Sequence, residues 1–292
     1  MNPETQGTGS RKLSLKRVGR NLSRILGTCT PPVIQRLFDS IRKPVAESPQ
    51  VPLPEEEQVI EFLLPRSLPE QIWEEFEQTE ITMIPRQIRD HLWAMPENEL
   101  MVLSTLCQLL RPQRVFEFGT FTGASTLAMA ANTPETTRIQ TLDIPPENRR
   151  SHRTGVGSDI PFDFEIGEVF QGTRWQEKIQ ILKEDARDFD TRPYRNRMDL
   201  VFVDADHTYE FVRNDSSKAM EMLAPGGVIL WHDYRWDDES PECAGVTRFV
   251  NEFHSQTGHC LEIEGTRFAI YQSTEAGSQT GRPTSGKDGV AA

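Results

Sequence analysis

No apolar stretch in the 292 residues reaches the ~18 residues that a membrane-spanning helix needs. Cysteine is scarce. Its four copies, Cys29, Cys107, Cys243 and Cys260, lie far apart with no Cys-x-x-Cys pair, which speaks against a zinc knuckle and a disulfide framework and for a reducing, cytoplasmic setting. Cys107 sits in an apolar helical stretch and reads as a small core residue. Positive charge is also short: 32 Lys and Arg against 44 Asp and Glu leave a net charge of −12. A nucleic-acid backbone would be repelled, so no nucleic-acid partner is expected. No internal repeat is present.

The charge that is there is unevenly placed. Residues 1–43 hold nine basic side chains against Glu4 and Asp39, a net +7 that leaves −19 for the remainder. Leu15, Val18, Leu22, Ile25 and Leu26 recur at helical spacing, and Val33 to Ile41 repeats the pattern. Several readings of this basic amphipathic segment stay open. Residues 11–43 could dock on a membrane surface or a protein partner, act as an organelle transit peptide, pack as a helix on the main domain, or form a floppy tail. Residues 44–56, rich in Pro and Glu, read as a linker, and residues 274–292, rich in Gly, Ser and Thr, as a disordered tail.

Between them the pattern predicts a helical lead-in over residues 57–110 and a main domain over 111–273. Helices are expected near Glu57–Leu64, Pro69–Gln78, Pro85–Met95 and Glu97–Leu110. Trp73 and Trp93 read as packing anchors. From Arg114 strands and helices alternate: strands at 114–118, 138–143, 179–183, 199–203 and 227–231, helices near 123–132, 171–178 and 209–223. Such alternation predicts an α/β protein with a parallel sheet covered on both faces. One more helix, Gly245 to His254, precedes a closing strand pair, Cys260–Ile263 and Arg267–Tyr271.

The most informative stretch is Val115-Phe116-Glu117-Phe118-Gly119-Thr120-Phe121-Thr122-Gly123-Ala124-Ser125. A short apolar strand runs into a glycine turn and a helix, a unit that presents backbone N–H groups to a nucleotide-like ligand. Glu117 at the strand end would repel a pyrophosphate and welcome a cation. The Gly-x-x-x-Gly spacing also differs from the Gly-x-Gly-x-x-Gly of dinucleotide binders. Asp143 ends the second strand 24 residues beyond Gly119, where an acid can accept hydrogen bonds from ribose hydroxyls. The fourth strand runs into Asp204, Asp206 and His207, and the fifth ends in His232 and Asp233. Carboxylates and imidazoles on two neighbouring strand ends can meet in one cleft.

The glycine turn resembles motif I of the class I S-adenosylmethionine-dependent methyltransferases. The run Phe202 to Glu210 is similar to the Asp-Ala-Asp segment of the cation-dependent O-methyltransferases, such as the caffeoyl-CoA and catechol enzymes. It resembles still more the bacterial macrocin-type sugar O-methyltransferases, through Asp204-x-x-His207-x-Tyr209, Pro225-Gly226-Gly227 and His232-Asp233-Tyr234. Ile166-Gly167, Gly172-Thr173 and Gly265-Thr266-Arg267 extend the resemblance over about residues 97–273.

That resemblance implies a doubly wound, mostly parallel seven-stranded Rossmann-like sheet with an antiparallel closing strand. It implies S-adenosylmethionine held by Glu117, Gly119, Thr120, Gly123, Ser125, Asp143, Asp185, Ala186 and Asp204, with Asp185 taking the adenine amino group and Ala186 beside the ring. It further implies Mg²⁺ or Mn²⁺ on Asp204 and Asp233, with His232 as a third ligand, and His207 and Asp204 as the catalytic pair. Two positions depart from the pattern: Tyr234 stands where catechol-type enzymes have Asn, and His232 where macrocin-type enzymes can have Glu. The reaction would be an in-line displacement at a sulfonium methyl. The acceptor would be a hydroxylated small molecule or sugar, deprotonated by a histidine whose unperturbed pKa of about 6.5 suits neutral pH. Two other functions remain open from sequence: a nicotinamide-dependent oxidoreductase, and a docked binding protein that has lost its chemistry.

Overall fold

The computed structural model describes residues 61–87, 94–145, 164–235 and 243–273. The basic segment of residues 1–43, the linker at 44–56, the tail at 274–292, Trp93 and the basic run Asn148, Arg149, Arg150, His152, Arg153 all lie outside the described residues.

Among the described residues a single sheet of eight strands organises the fold: β1 (Arg66–Ser67), β2 (Arg114–Phe118), β3 (Arg138–Asp143), β4 (Ile179–Lys183), β5 (Met198–Val203), β6 (Leu223–Trp231), β7 (Cys260–Ile263) and β8 (Ala269–Gln272). Their spatial order is β1-β7-β8-β6-β5-β2-β3-β4. All neighbours run parallel except β8, which is antiparallel to both β6 and β7. The α-helices among the described residues are α1 (Pro69–Ile72), α2 (Glu97–Leu110), α3 (Ala124–Ala131), α4 (Tyr209–Met222) and α5 (Ala244–Thr257). Among the described residues no helix is long and apolar enough to cross a membrane.

Strand alternation sorts the side chains into two cores. Val115, Leu200, Phe202, Val228 and Leu230 face one side and pack with Leu100, Leu103, Leu106 and Leu110 of α2 and Ala128 and Met129 of α3. Phe116, Phe118, Val201, Val203, Ile229 and Trp231 face the other and pack with Val212 and Met220 of α4 and Val246, Phe249 and Val250 of α5. A period of two along each strand and near 3.6 along each helix is what lets a doubly covered sheet form.

Several expectations are corrected. The sheet has eight strands, not seven, because Arg66–Ser67 adds to β7 in parallel register; two residues carry no readable alternation. The helix expected at 171–178 is a chain of turns ending in a 3₁₀ turn, Gln176–Lys178. Gly172 at φ 70° breaks helical geometry there. The helix expected over 69–78 splits into α1 and a 3₁₀ turn at Phe76–Gln78, and residues 61–64 are not helical. Between Pro85 and Met95 the described residues hold only a 3₁₀ turn, Pro85–Gln87. β6 starts at Leu223, so the Pro225-Gly226-Gly227 stretch lies within the strand, where pairing with β5 shifts register between Met198 and Leu200. A bulge is one of the few places a strand accepts proline.

One buried group predicts how stability follows pH. Asp215 of α4 is 1% exposed and accepts a hydrogen bond from the neighbouring Asn214 side chain at 2.8 Å. Burial pushes its pKa from 3.8 up to about 7, with Asp206 and Asp185 adding to the rise. The folded state therefore holds this proton more tightly than the unfolded chain. The group's stabilising contribution is complete below the unfolded value and fades as pH climbs through about 7. Asp215→Asn removes that dependence. Its stability relative to wild type should rise by up to roughly 4 kcal/mol between about pH 4 and pH 8 in denaturant unfolding. An unchanged difference across that range would show the carboxyl to be solvated.

Candidate active site

The chain passes outward from β2 through β3 to β4, then returns to lay β5 on the other side of β2. The carboxyl ends of β2 and β5 therefore flank the topological switch point, where open α/β sheets bind ligands. The two ends touch. The Asp204 N–H donates to the Phe118 carbonyl at 2.9 Å, and a Cβ at Gly119 would lie 1.9 Å from the Asp204 carbonyl oxygen. Gly119 also sits at φ 92°, so glycine is required twice over. Gly123 at φ 90° precedes α3, and a Cβ there would meet the Phe170 ring at 2.6 Å.

Asp143 acts on this turn. Its Oδ2 accepts the Phe121 N–H at 2.8 Å and so holds Phe121 in its left-handed conformation, φ 49°. Thr120, expected on the cofactor, turns its hydroxyl to Thr141 at 2.7 Å and is buried. Glu117 is fully buried on the α2–α3 face. Its carboxylate accepts hydroxyls from Ser125 at 2.6 Å, Thr126 at 2.5 Å and Thr141 at 2.6 Å. Burial raises its pKa to about 7, against the pull of those three hydroxyls. In this arrangement Glu117 fixes the first turn of α3 through Ser125 and Thr126. Asp185 holds its own loop: it accepts the Arg187 N–H at 2.8 Å and pairs with that guanidinium at 2.7 Å. Ala186 packs against the second core.

The second cluster lies at the ends of β5 and β6. His232 is 6% exposed. Its Nδ1 stands 3.1 Å from Asp204 Oδ1 and 3.0 Å from Asp233 Oδ2, and its Nε2 stands 2.7 Å from Glu99 Oε2. His207 Nε2 is 3.0 Å from Asp233 Oδ2. Arg267 Nη1 is 2.9 Å from Asp233 Oδ1, and the Arg267 N–H donates to Glu99 Oε1 at 2.7 Å. Three carboxylates thus face one guanidinium and two imidazoles. Burial alone would lower the pKa of His232, but the charges of Asp233 and Asp204 outweigh it and raise the pKa well above the usual imidazole value. His207 is raised likewise: burial opposes, and the hydrogen bonds to Asp233 and Cys243 prevail. Asp233 is held far below the carboxylate range, against burial, by His232 and His207. Asp233 also adopts φ 57°, a strained conformation of the kind that collects at functional sites.

Sequence reading placed Asp204, His207, His232 and Asp233 together, and they are together. It missed Glu99 and Arg267. A signal for Glu99 was present: it shares the heptad-spaced stripe of Leu103, Leu106 and Leu110 on α2, and an acid on an apolar stripe asks for a buried partner. Arg267 gave a signal only as part of the Gly265-Thr266-Arg267 match, because its place at the site comes from the antiparallel closure of β7 and β8. Tyr234, by contrast, is part of the scaffold. Its hydroxyl donates to Asn251 Oδ1 at 2.7 Å and accepts the Leu64 N–H at 3.2 Å.

The donor set suits a divalent cation. One ligand atom each from Asp204, His232 and Asp233 lies within 4.8 Å of the others. Asp233 Oδ1 is buried, with an ion pair to Arg267 but no hydrogen bond. The carboxylate of Glu99 on the far nitrogen of His232 is the device that orients a metal-bound imidazole. The two carboxylates suit Mg²⁺ or Mn²⁺, and the imidazole, a poor Mg²⁺ ligand, favours Mn²⁺.

A glycine turn lies at the switch point of a mostly parallel sheet, with acids and imidazoles at the next strand ends, as the resemblance to class I methyltransferases implies. Residues 116–234 match the family model described as a methyltransferase domain. The chain is 26% identical over 195 residues to a caffeoyl-CoA O-methyltransferase of Populus kitakamiensis, covering 61% of this chain and 74% of that one. It is 28% identical over 141 residues to the caffeoyl-CoA O-methyltransferase of Stellaria longipes, covering 46% and 52%. The chain thus spans between about half and three-quarters of the length of these curated relatives. Solved structures similar to it include the O-methyltransferase TomG of Streptomyces achromogenes in complex with SAM, at TM-score 0.48 and 17% identity over 69% of this chain and 94% of that one. Another is a Bacillus cereus O-methyltransferase in complex with SAH, at TM-score 0.48 and 15% identity over 69% and 96%. Over residues 116–234 the chain is thus similar to a methyltransferase domain, and the curated relatives named above are caffeoyl-CoA O-methyltransferases.

Proposed function

We propose that this protein transfers the sulfonium methyl of S-adenosylmethionine to a hydroxyl of a small molecule or sugar, with His207 as general base. The observation that carries the reading is the meeting of the β2 glycine turn with the Asp204, His207, His232 and Asp233 cluster at one switch point. S-adenosylmethionine supplies an electrophilic methyl on a positively charged sulfur. Gly119 and Gly123 give the turn its close backbone approach, Asp143 holds it in shape, and Ser125, oriented by Glu117, is placed to meet the methionine end. Asp204, beside the turn, faces both the cofactor and the acceptor. His207, 31% exposed, can be reached by an acceptor hydroxyl, and because its pKa is raised, its neutral, proton-accepting form gains population as pH rises above neutral. Asp233 orients that ring. A Mg²⁺ or Mn²⁺ ion held by Asp204, Asp233 and His232 would lower the pKa of a coordinated acceptor hydroxyl. His232 is kept in place for this by Glu99.

Calorimetric titration tests the cofactor. S-adenosylhomocysteine should bind and NAD should not. Asp143→Ala should weaken S-adenosylhomocysteine by about tenfold or more, since a lost hydrogen bond to a charged group is worth roughly 1.5–3 kcal/mol. Binding of NAD in place of the nucleoside product would overturn the reading.

A further inference from the structure

One thiol stands against this site without a part in it. Cys243 caps the start of α5 and is 2% exposed. Its Sγ lies 4.0 Å from His207 Nδ1, and Asp233 Oδ2 lies 3.0 Å from Nε2 of the same ring. One donor atom each from His207, Asp233 and Cys243 falls within 4.8 Å of the others. The approach is set by Gly245: a Cβ there would lie 2.2 Å from the His207 carbonyl oxygen and 2.5 Å from the Tyr209 nitrogen. No larger residue lets α5 come so near, and that nearness delivers the sulfur. Asp233 is buried; its Oδ1 is ion-paired to Arg267 at 2.9 Å, and its Oδ2 is the oxygen turned to His207, 3.0 Å from Nε2.

The chemistry of this set differs from that of Asp204, His232 and Asp233. Thiolate and imidazole are soft donors that prefer Zn²⁺ or Cd²⁺ to Mg²⁺, and one sulfur, one nitrogen and one oxygen suit a tetrahedral ion with a fourth position open. We propose that His207, Asp233 and Cys243 form a second cation site, specific for a thiophilic ion such as Zn²⁺, that silences the enzyme when filled. Binding displaces the thiol proton to solvent. It engages the imidazole lone pair that would accept the acceptor's proton, and it draws on Asp233, which the other cation set also needs. The silencing clause rests on His207 being the base; the site itself does not.

Cd²⁺ titration of the full chain, followed by the ultraviolet charge-transfer absorption of a cadmium–thiolate bond, tests the site. Cys29→Ser serves as a control, and circular dichroism checks the fold of each variant. Wild type and Cys29→Ser should bind one Cd²⁺ with thiolate absorption. Cys243→Ser should lose that absorption and bind at least about tenfold more weakly, and His207→Gln should bind more weakly too. Unchanged absorption and affinity in Cys243→Ser overturn the proposal. Zn²⁺ should slow methyl transfer at least tenfold in wild type and leave Cys243→Ser near its own rate. Cysteine-dependent Cd²⁺ binding without inhibition supports the site and removes His207 from the base role. Failure of S-adenosylhomocysteine to bind removes the methyl-donor reading and leaves the cadmium result standing.

Discussion

His207→Ala is expected to lower kcat by about 10²–10⁴-fold, the range a positioned general base contributes. S-adenosylhomocysteine affinity should stay close to wild type. The separation follows from where the residue sits. His207 contacts Asp233 and Cys243, on the β5–β6 side of the switch point, and none of the residues that shape the glycine turn. Its removal also leaves Asp233 short of one partner, although His232 and Arg267 still hold that carboxylate. His207→Gln separates the two effects: glutamine keeps a hydrogen-bond donor for Asp233 but takes no proton near neutral pH. Equal loss in both variants supports a base. A glutamine variant that retains wild-type turnover would reduce His207 to a positioning residue. The measurement is S-adenosylhomocysteine release in the presence of a methyl acceptor, alongside product binding by calorimetry.

Gly119→Ala should be the most damaging single methyl group that can be added to the molecule. The new carbon would stand 1.9 Å from the Asp204 carbonyl oxygen and 2.9 Å from the Ala205 Cα. Both are backbone atoms of the next strand end and cannot rotate away. Left-handed geometry at φ 92° costs an L-residue about 1–2 kcal/mol, and overpacking adds about 1–3 kcal/mol. We expect a loss of roughly 2–5 kcal/mol in unfolding free energy. Product affinity should fall by about two orders of magnitude, because the β2 and β5 ends must part to admit the methyl. Gly172→Ala is the matched control. It too has positive φ, at 70°, but nothing lies within 4 Å of the added carbon. It should cost about 1 kcal/mol and leave product binding intact. Equal effects of the two substitutions would show that backbone strain, not the meeting of β2 with β5, is what matters at Gly119.

Much of the fold was legible. β2, β3, β4 and β7 stand where apolar runs predicted them, β5 starts one residue earlier, and α2 runs from Glu97 to Leu110 as its leucine spacing requires. Elements with a strong period are readable because a buried strand or a helix stripe has to be apolar at that period. Elements without one were not. Arg66–Ser67 is too short to show an alternation, and the 171–178 stretch mixes helix-compatible residues with a glycine whose φ decides otherwise.

The site divided in the same way. Asp204, His207, His232 and Asp233 were readable because each ends or follows a predicted strand, and neighbouring parallel strands bring their ends together. Glu117 and Asp143 were readable as positions, but their partners were not. Neither the three hydroxyls on Glu117 nor the Phe121 N–H on Asp143 can be deduced from spacing.

By itself the amino-acid order determined the α/β class, the glycine turn and which strand ends carry acids and imidazoles, since these depend on local period and local backbone freedom. Tertiary structure alone decided that Glu99 would clamp His232, that Arg267 would face Asp233, and that Cys243 would stand beside His207. Those pairs are separated by 133, 34 and 36 positions in the chain. They form only because sheet order and the close approach at Gly245 bring distant segments together, and no local preference of either partner encodes the meeting.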